Sequence, residues 1–210
     1  MTEVILAAMQ PLPGERINSA AEVARSLAEE GFQAERLTIQ MLPADMRRAG
    51  AILVDRIRTL KARAVIIAGQ CAEASAIAVE AAARNLRDFA GVRDGGGNCP
   101  TKEPIIAEGP VSLPTSLAAD ALVAYLEARK IEVRSSKDPG AHLTNHVLYE
   151  VLFQIRQDPG AFQGVRVGAL SLPLLPEQAR REPKLKGRAM DAALQLSAVR
   201  SAVEFALLPG

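Results

Sequence analysis

The feature of this chain that most constrains its fold is the order of its strand-like and helix-like segments. Five short apolar runs have the composition of β-strands, and longer segments with apolar residues at helical spacing lie between and after them. The strand candidates are residues 3–8, 32–40, 62–69, 130–135 and 164–172. The helix candidates are residues 17–31, 116–129, 144–156 and 187–208. Strand and helix therefore alternate almost throughout.

This alternation is typical of α/β proteins. It predicts a three-layer α/β/α sandwich with a mainly parallel sheet. In such a sheet the functional site lies at the carboxyl ends of the strands. The 210 residues are enough for one domain with a substantial core, so we expect residues 1–210 to form a single domain.

The charge and hydropathy of the chain argue against some classes of binding partner. The chain has 25 Lys and Arg against 24 Asp and Glu, and only 3% aromatic residues, which argues against nucleic acid. No apolar stretch approaches the roughly 20 residues of a membrane helix, and residues 4–9 lack the basic flank of a signal peptide. We therefore expect a cytoplasmic protein that does not contact membranes and whose partner is a small molecule or a protein.

The cysteines and histidines do not predict a metal site or a disulfide framework. Cys71 and Cys99 are the only cysteines, and their spacing does not suit a zinc site that would need His142 and His146 as well. Reduced thiols, with no metal and no cofactor, are the simplest interpretation.

Two stretches lack a regular pattern. The glycines and prolines of residues 91–104 predict a long surface loop, and a loop of this length in a compact domain is often a lid or a subunit contact. Prolines end the last strand candidate and make residues 171–188 irregular.

Six fragments occur in the order and near the spacing of one known family. They are AMQPLPGERINSA, VIIAGQ, VEAAARN, DGGGNCP followed by EGP, GAHLTNHVLY and VGALSLPLLPEQ. Together they resemble GFEPFGGExxNPS, a strand ending in GQ, ERVAIN, DNxGxxP, GTFVCNxxxY and AGFIHVPxLPEQ. These are the motifs of pyroglutamyl peptidase I, also called pyrrolidone carboxyl peptidase, a family of cysteine peptidases. The resemblance covers residues 4–178, most of the chain.

The resemblance implies a reaction and three catalytic positions. Members of this family remove an N-terminal pyroglutamate with a cysteine thiolate, a histidine that passes the proton and a glutamate that orients the histidine. Glu80 matches the glutamate, Thr144 stands where the family has its cysteine, and Ser171 stands where it has its histidine. The family also commonly forms homo-oligomers, which we expect here.

Four further positions correspond to the family's substrate pocket. Met9 and Leu12 replace two phenylalanines that pack against the lactam ring, and His142 replaces a phenylalanine two residues before the nucleophile. Gln70 keeps the glutamine at the end of its strand. The departures therefore concentrate in one site, whereas the residues that specify the fold are retained.

Two interpretations of Thr144 follow from the residues. An internal threonine lacks the terminal amine that activates known threonine nucleophiles, so we favour a role as helix cap, worth about 1 kcal/mol. In the alternative, His142 lies on the same side of an extended 140–144 segment and activates the Thr144 hydroxyl. We favour His142 as a residue that fills the pocket, and we expect His146 to be structural or exposed to solvent.

Other residues leave alternatives open. The segment around Glu80 is rich in strong helix formers, so its local structure can depart from the family's and turn Glu80 away from the pocket. Cys71 or Cys99 can supply a relocated thiol, although neither has a histidine nearby in sequence. The resulting hypothesis is a pyroglutamyl-peptidase-like protein that has lost the cysteine-peptidase reaction and binds a small molecule or peptide N-terminus. The alternative is a hydrolase that cleaves pyroglutamate or another lactam or amide with a non-standard nucleophile.

Overall fold

A six-stranded sheet forms the centre of the protein. The computed structural model describes residues 3–180, 185 and 188–209. The strands are β1 (Val4–Met9), β2 (Leu37–Leu42), β3 (Ala64–Gln70), β4 (Ile77–Glu80), β5 (Ala82–Arg84), β6 (Ser112–Pro114), β7 (Val133–Ser136) and β8 (Arg166–Leu172). The order in the main sheet is β2-β1-β3-β8-β4-β7, and β5 pairs with β6 in a separate small sheet. Strands β2, β1, β3 and β8 are mutually parallel, whereas β4 runs antiparallel to β8 and parallel to β7.

Helices cover both faces of the main sheet. They are α1 (Ser19–Glu29), α2 (Ala49–Leu60), α3 (Ala119–Glu127), α4 (Leu143–Gln157), α5 (Pro176–Ala179) and α6 (Ala192–Leu207). Helices α2 and α4 pack on one face, and α1, α3 and α6 pack on the other. The predicted three-layer α/β fold with a mainly parallel sheet is confirmed.

The central strands are apolar on both faces because each face carries helices. All six residues of β1 are buried, and so are six of the seven in β3. This pattern is typical of strands in the middle of a parallel sheet. Strands β1, β3 and β8 all end at the same edge, where their carboxyl ends open a pocket.

Strand β4 differs from what local composition favours. The segment that contains it is rich in helix-forming alanines, yet it pairs with β8 on one side and β7 on the other. All four of its residues are buried. Burial of Ile77 and Val79 between two strands outweighs an intrinsic helix preference of at most a few tenths of a kcal/mol per residue.

Several boundaries also differ from the predictions. Strand β2 begins at Leu37 instead of residue 32, because Gly31 and Gln33 take left-handed backbone conformations that turn the chain. Helix α2 is not among the helices that the sequence pattern predicts. The irregular stretch 171–188 contains helix α5, and the remainder of that stretch and the start of the predicted last helix lie partly outside the described residues.

The long loop 91–104 has neither helix nor strand, as predicted, but it is firmly attached. The buried Asp94 carboxylate accepts hydrogen bonds from the backbone N–H groups of Met46 (2.8 Å), Gly96 (3.0 Å) and Asn98 (2.7 Å), and from the Asn98 side chain. Because Met46 lies between β2 and α2, these bonds tie the loop to that connection.

Two asparagines, the buried Asn145 and the half-buried Asn85, hold the segments beside the pocket. Asn145 of α4 accepts a hydrogen bond from the N–H of Arg84 and donates to the carbonyls of Arg84 and Leu86. Asn85 similarly bonds to both sides of the 105–109 turn. These bonds fix β5 against the start of α4. No helix in the described part of the chain is long and apolar enough to cross a membrane.

Candidate active site

A pocket of about 800 Å³ opens at the carboxyl ends of β1, β3 and β8. Its walls come from the segments after these strands, from the 89–92 segment and from the first turn of α4. All seven residues that the sequence assigned to a site line it: Met9, Leu12, Gln70, Glu80, His142, Thr144 and Ser171. The fold therefore brings together residues that are up to 162 positions apart in the chain.

Glu80 and Ser171 contact each other in this pocket. The Ser171 hydroxyl donates a hydrogen bond of 2.6 Å to Oε1 of Glu80, and the two residues are 2% and 7% exposed. Strands β4 and β8 bring them together: Ala78 pairs with Ser171 and Glu80 with Ala169, so the side chains share one face. The idea that Glu80 turns away from the pocket is wrong, because its segment is a strand.

Burial raises the pKa of the Glu80 carboxyl above its usual range. The hydroxyls of Ser171 and Ser136 and the positive charge of Arg134 oppose this shift in part. Removing a carboxylate from water disfavours its charged form unless enough donors replace the lost water. Glu80 therefore binds a proton more readily than an exposed glutamate does.

Thr144 does not cap its helix, so that prediction is wrong. Helix α4 begins at Leu143, and the N-cap position is occupied by His142, which has an extended backbone conformation and makes no side-chain capping bond. Thr144 is the second residue of the helix, and its side chain rests on the backbone of Gly69. A Cβ atom on Gly69 would lie 2.6 Å from Cγ2 of Thr144 and 2.7 Å from its Cβ, and would overlap the hydroxyl.

The two histidines have different surroundings. His142 is exposed at the pocket, with its ring centroid 6.5 Å from that of Phe89. In the described part of the chain it makes no hydrogen bond to Thr144. His146 is buried, with Nε2 3.2 Å from a carboxylate oxygen of Glu150, and it does not line the pocket. The structural alternative for His146 fits this position.

Gln70 belongs to a polar network at the pocket. Its Oε1 accepts hydrogen bonds from the N–H of Ser19 (2.9 Å) and from the side chain of Gln178 (2.8 Å). Its Nε2 lies 3.4 Å from the Glu15 carboxylate, which also accepts from the N–H of Leu12. The network holds the 12–19 segment, which carries Leu12, over the pocket.

The two cysteines are separated by the fold. Cys71 follows β3 directly and lines the pocket, whereas Cys99 does not. Both are free thiols. No group of three metal-ligating side chains occurs among the residues that the structure describes.

Some pocket residues were not found from the sequence. Arg84 and Asp138 form an ion pair at the pocket, with Nη1 2.8 Å from both carboxylate oxygens, and Arg134 lies on the same side of the sheet as Glu80. Nothing in the sequence around these three charged residues indicates that they belong to a site. Only the position of β4 between β8 and β7 brings Arg134 to the pocket, and that strand was not predicted.

The geometry of this site can be compared with known proteins. A family model for pyroglutamyl peptidase matches residues 2–208. The chain belongs to the pyroglutamyl peptidase family. Among curated family members, it is 33% identical to a pyrrolidone-carboxylate peptidase of Chromobacterium violaceum over 210 residues, which cover 100% of this chain and 95% of that protein. It is 30% identical to a pyrrolidone-carboxylate peptidase of Bacillus cereus over 207 residues, or 99% and 92% of the two chains.

Solved structures of family members have the same fold. A mutant pyrrolidone carboxyl peptidase from Pyrococcus furiosus superposes with a TM-score of 0.84 and 26% identity, covering 98% of both chains. Pyroglutamyl peptidase I from Bacillus amyloliquefaciens gives a TM-score of 0.87 at 23% identity, covering 98% of this chain and 97% of that one. The second comparison supports the fold alone.

Proposed function

We propose that this member of the pyroglutamyl peptidase family binds a small molecule or a peptide N-terminus in its pocket and does not perform the cysteine-peptidase reaction. One observation carries the proposal. A threonine lies at the start of α4, where the resemblance assigns the family's cysteine, and a serine contacts Glu80, where it assigns the histidine. Glu80, Thr144 and Ser171 thus occupy the three positions that the resemblance assigns to catalysis.

Their chemistry supports the loss of this reaction. A cysteine at a helix entrance becomes a thiolate at neutral pH because the helix dipole and a nearby imidazolium lower its pKa. The Thr144 hydroxyl gains little from either, and it lies against Gly69 with no base bonded to it among the described residues. A serine hydroxyl cannot shuttle a proton at neutral pH as an imidazole does.

The pocket nevertheless suits a small ligand. Its volume of about 800 Å³ lies in the range of small-molecule sites. Met9 and Leu12 offer apolar surface where the resemblance places the lactam-binding phenylalanines, with Gln70 and His142 as polar neighbours. We propose these four residues as the ligand-contacting set.

A fluorogenic pyroglutamyl amide tests the proposal. We expect no release from it, under conditions where the Bacillus cereus relative, run in parallel, turns it over. A pyroglutamyl dipeptide amide at millimolar concentration is expected to raise the thermal midpoint, and Met9→Asp is expected to abolish that shift. Release that a thiol-blocking reagent inhibits would contradict the proposal.

A second candidate is a hydrolase that cleaves pyroglutamate or another lactam or amide with a non-standard nucleophile. Cys71 favours it, because this free thiol lines the same pocket. A screen of lactam and amide substrates should then reveal activity that Cys71→Ala or Thr144→Ala removes. Cys99→Ala, which changes the thiol outside the pocket, serves as the matched control. Equal activity in all variants would exclude both nucleophiles.

We also propose that the protein works in the cytoplasm and that it forms a homo-oligomer, the latter because the resemblance implies it. The two free cysteines suit a reducing compartment. Light scattering after size exclusion measures the number of subunits, and a monomer at micromolar concentration would contradict this part of the proposal.

A further inference from the structure

Two buried carboxylates of this protein have opposite hydrogen-bonding environments. Asp94 and Glu80 are each 2% exposed. Asp94 accepts hydrogen bonds from three backbone N–H groups and one side-chain amide, and these donors lower its pKa although burial opposes them. This is the usual environment of a structural carboxylate, in which protein donors replace the lost water.

Glu80 lacks such compensation. Among the described residues, the Ser171 hydroxyl donates to Oε1, and Oε2 has no partner within hydrogen-bond distance. The Ser136 hydroxyl lies close enough to favour the charged form of Glu80, but its hydrogen bond goes to the carbonyl of Asp138. Arg134 acts on its charge without forming an ion pair with it. A fold that satisfies Asp94 fully leaves Glu80 under-satisfied at the pocket, and such groups concentrate where chemistry occurs.

The hydrogen bond between Ser171 and Glu80 has the direction that a nucleophile and its base require. Ser171 donates to Glu80 at 2.6 Å, so the carboxylate already holds the hydroxyl proton in the orientation of a transfer. This distance lies within the range expected between a nucleophile and its general base. Ser171 itself is one of the residues that line the pocket.

We propose that Ser171 and Glu80 form a nucleophile and general base that hydrolyse small carboxylic esters through an acyl-serine intermediate. The inference goes beyond the proposed function. It uses the same ligand pocket, but it does not depend on whether a pyroglutamyl peptide binds there or on any thiol.

The reaction balances with these two groups and water. The Ser171 oxygen bonds to the ester carbonyl carbon as its proton passes to Glu80, and the bond between that carbon and the alcohol oxygen breaks as Glu80 returns the proton to the leaving alcohol. Water then loses a proton to Glu80 and attacks the acyl-serine. The carboxylic acid leaves, and Ser171 takes the proton back.

The start of α4 can stabilise the oxygen that becomes negative in this reaction. The helix has no side-chain cap, so backbone N–H groups of its first turn are not used by a cap. The side chain of Thr144 in that turn lies against Gly69, which pairs with Ser171 across the sheet. The first turn of α4 and Ser171 are therefore both neighbours of Gly69 at the edge of the pocket.

The chemistry favours esters over amides. An amine leaving group needs full protonation, which histidine supplies in the usual triads. The two histidines of this chain make no hydrogen bond to Ser171: His142 lies beside Phe89, and His146 contacts Glu150. An alcohol leaves with less assistance, and Glu80 alone can provide it.

A fluorophosphonate probe tests the pair, because a nucleophilic serine displaces its fluoride and forms a stable phosphorus ester. We expect one label per chain, mapped by mass spectrometry to Ser171 and absent in Ser171→Ala. Glu80→Gln keeps the shape of the side chain but removes the base, and we expect it to slow labelling about 100-fold or more. Ser201→Ala changes a buried serine of α6, away from the pocket, and should label as the wild type does.

The pH profile separates a base from a merely structural carboxylate. The labelling rate of the wild type should fall as Glu80 is protonated on lowering the pH, and Glu80→Gln should lack this step. The proposal is overturned if Ser171 is not labelled, or if Glu80→Gln labels at the wild-type rate. It is also overturned if p-nitrophenyl acetate is hydrolysed equally fast by Ser171→Ala. Pyroglutamyl-peptide binding, measured separately, reports on the proposed function alone.

Discussion

Replacing Glu80 by glutamine is expected to raise the free energy of unfolding at neutral pH, whereas Asp94→Asn is expected to lower it. Burial raises the pKa of Glu80, so its contribution to stability is complete below the ordinary pKa of a glutamate and is lost as pH rises through the raised value. The pKa of Asp94 is lowered, so its contribution is present above the ordinary pKa of an aspartate and is lost as pH falls through the lowered value.

The magnitudes follow from the protons and hydrogen bonds involved. Between the ordinary and the raised pKa of Glu80, the stability of the wild type relative to Glu80→Gln should fall by up to about 1.4 kcal/mol per pH unit. Asn in place of Asp94 turns an NH₂ group toward backbone donors and removes the charge from the remaining bonds. Since a hydrogen bond to a charged group is worth about 1.5 to 3 kcal/mol, we expect a loss of about 2 to 4 kcal/mol at pH 7.

Urea unfolding of the wild type and both variants at several pH values between 4 and 8 measures these differences. Subtracting the wild-type curve removes the contributions of other groups. The stability gained by Glu80→Gln should grow with pH. A difference that stays constant over this range would refute the reasoning, because it would mean that folding does not change the pKa of Glu80.

Three more substitutions and one control test the packing and hydrogen bonds of α4 and of β3, which it contacts, by urea unfolding. Gly69→Ala should lower the free energy of unfolding by about 1 to 3 kcal/mol, because the added methyl group meets Thr144. The control Gly160→Ala, whose methyl group meets nothing closer than 3.9 Å, should be near neutral. Equal effects of the two substitutions would contradict the close approach of Thr144 to Gly69. Asn145→Ala removes three hydrogen bonds of a fully buried side chain and should cost about 2 to 4 kcal/mol. Tyr149→Phe removes the 2.7 Å bond to a loop carbonyl and should cost about 1 kcal/mol, and no loss would show that this bond contributes nothing.

Most of the fold could be predicted because its signals are local. The apolar runs of β1 and β3 and the helical spacing of α4 determine these elements almost by themselves. Strand β4 could not be predicted, because its alanine-rich segment becomes a strand only between β8 and β7. Its place is decided by contacts between residues far apart in the chain.

The composition of the site could be predicted better than its geometry. The family motifs correctly placed Glu80, Thr144 and Ser171 in one pocket. They could not show that Ser171 donates a hydrogen bond to Glu80, because that depends on an antiparallel strand pair. The capping role of Thr144 failed for a different reason: the N-cap is His142, two residues before Thr144. This shift moves the Thr144 side chain from the cap position into the first turn.

The attachment of the 91–104 loop has a consequence for how fast ligands bind. The hydrogen bonds to Asp94 hold the loop in which Val92 lines the pocket, so this part of the pocket wall is in place before a ligand arrives. Association should then proceed in one step, with an observed rate that rises linearly with ligand concentration and shows no plateau from a preceding opening. Weakening the attachment with Asp94→Asn should introduce that plateau, turning a rigid entrance into a gated one.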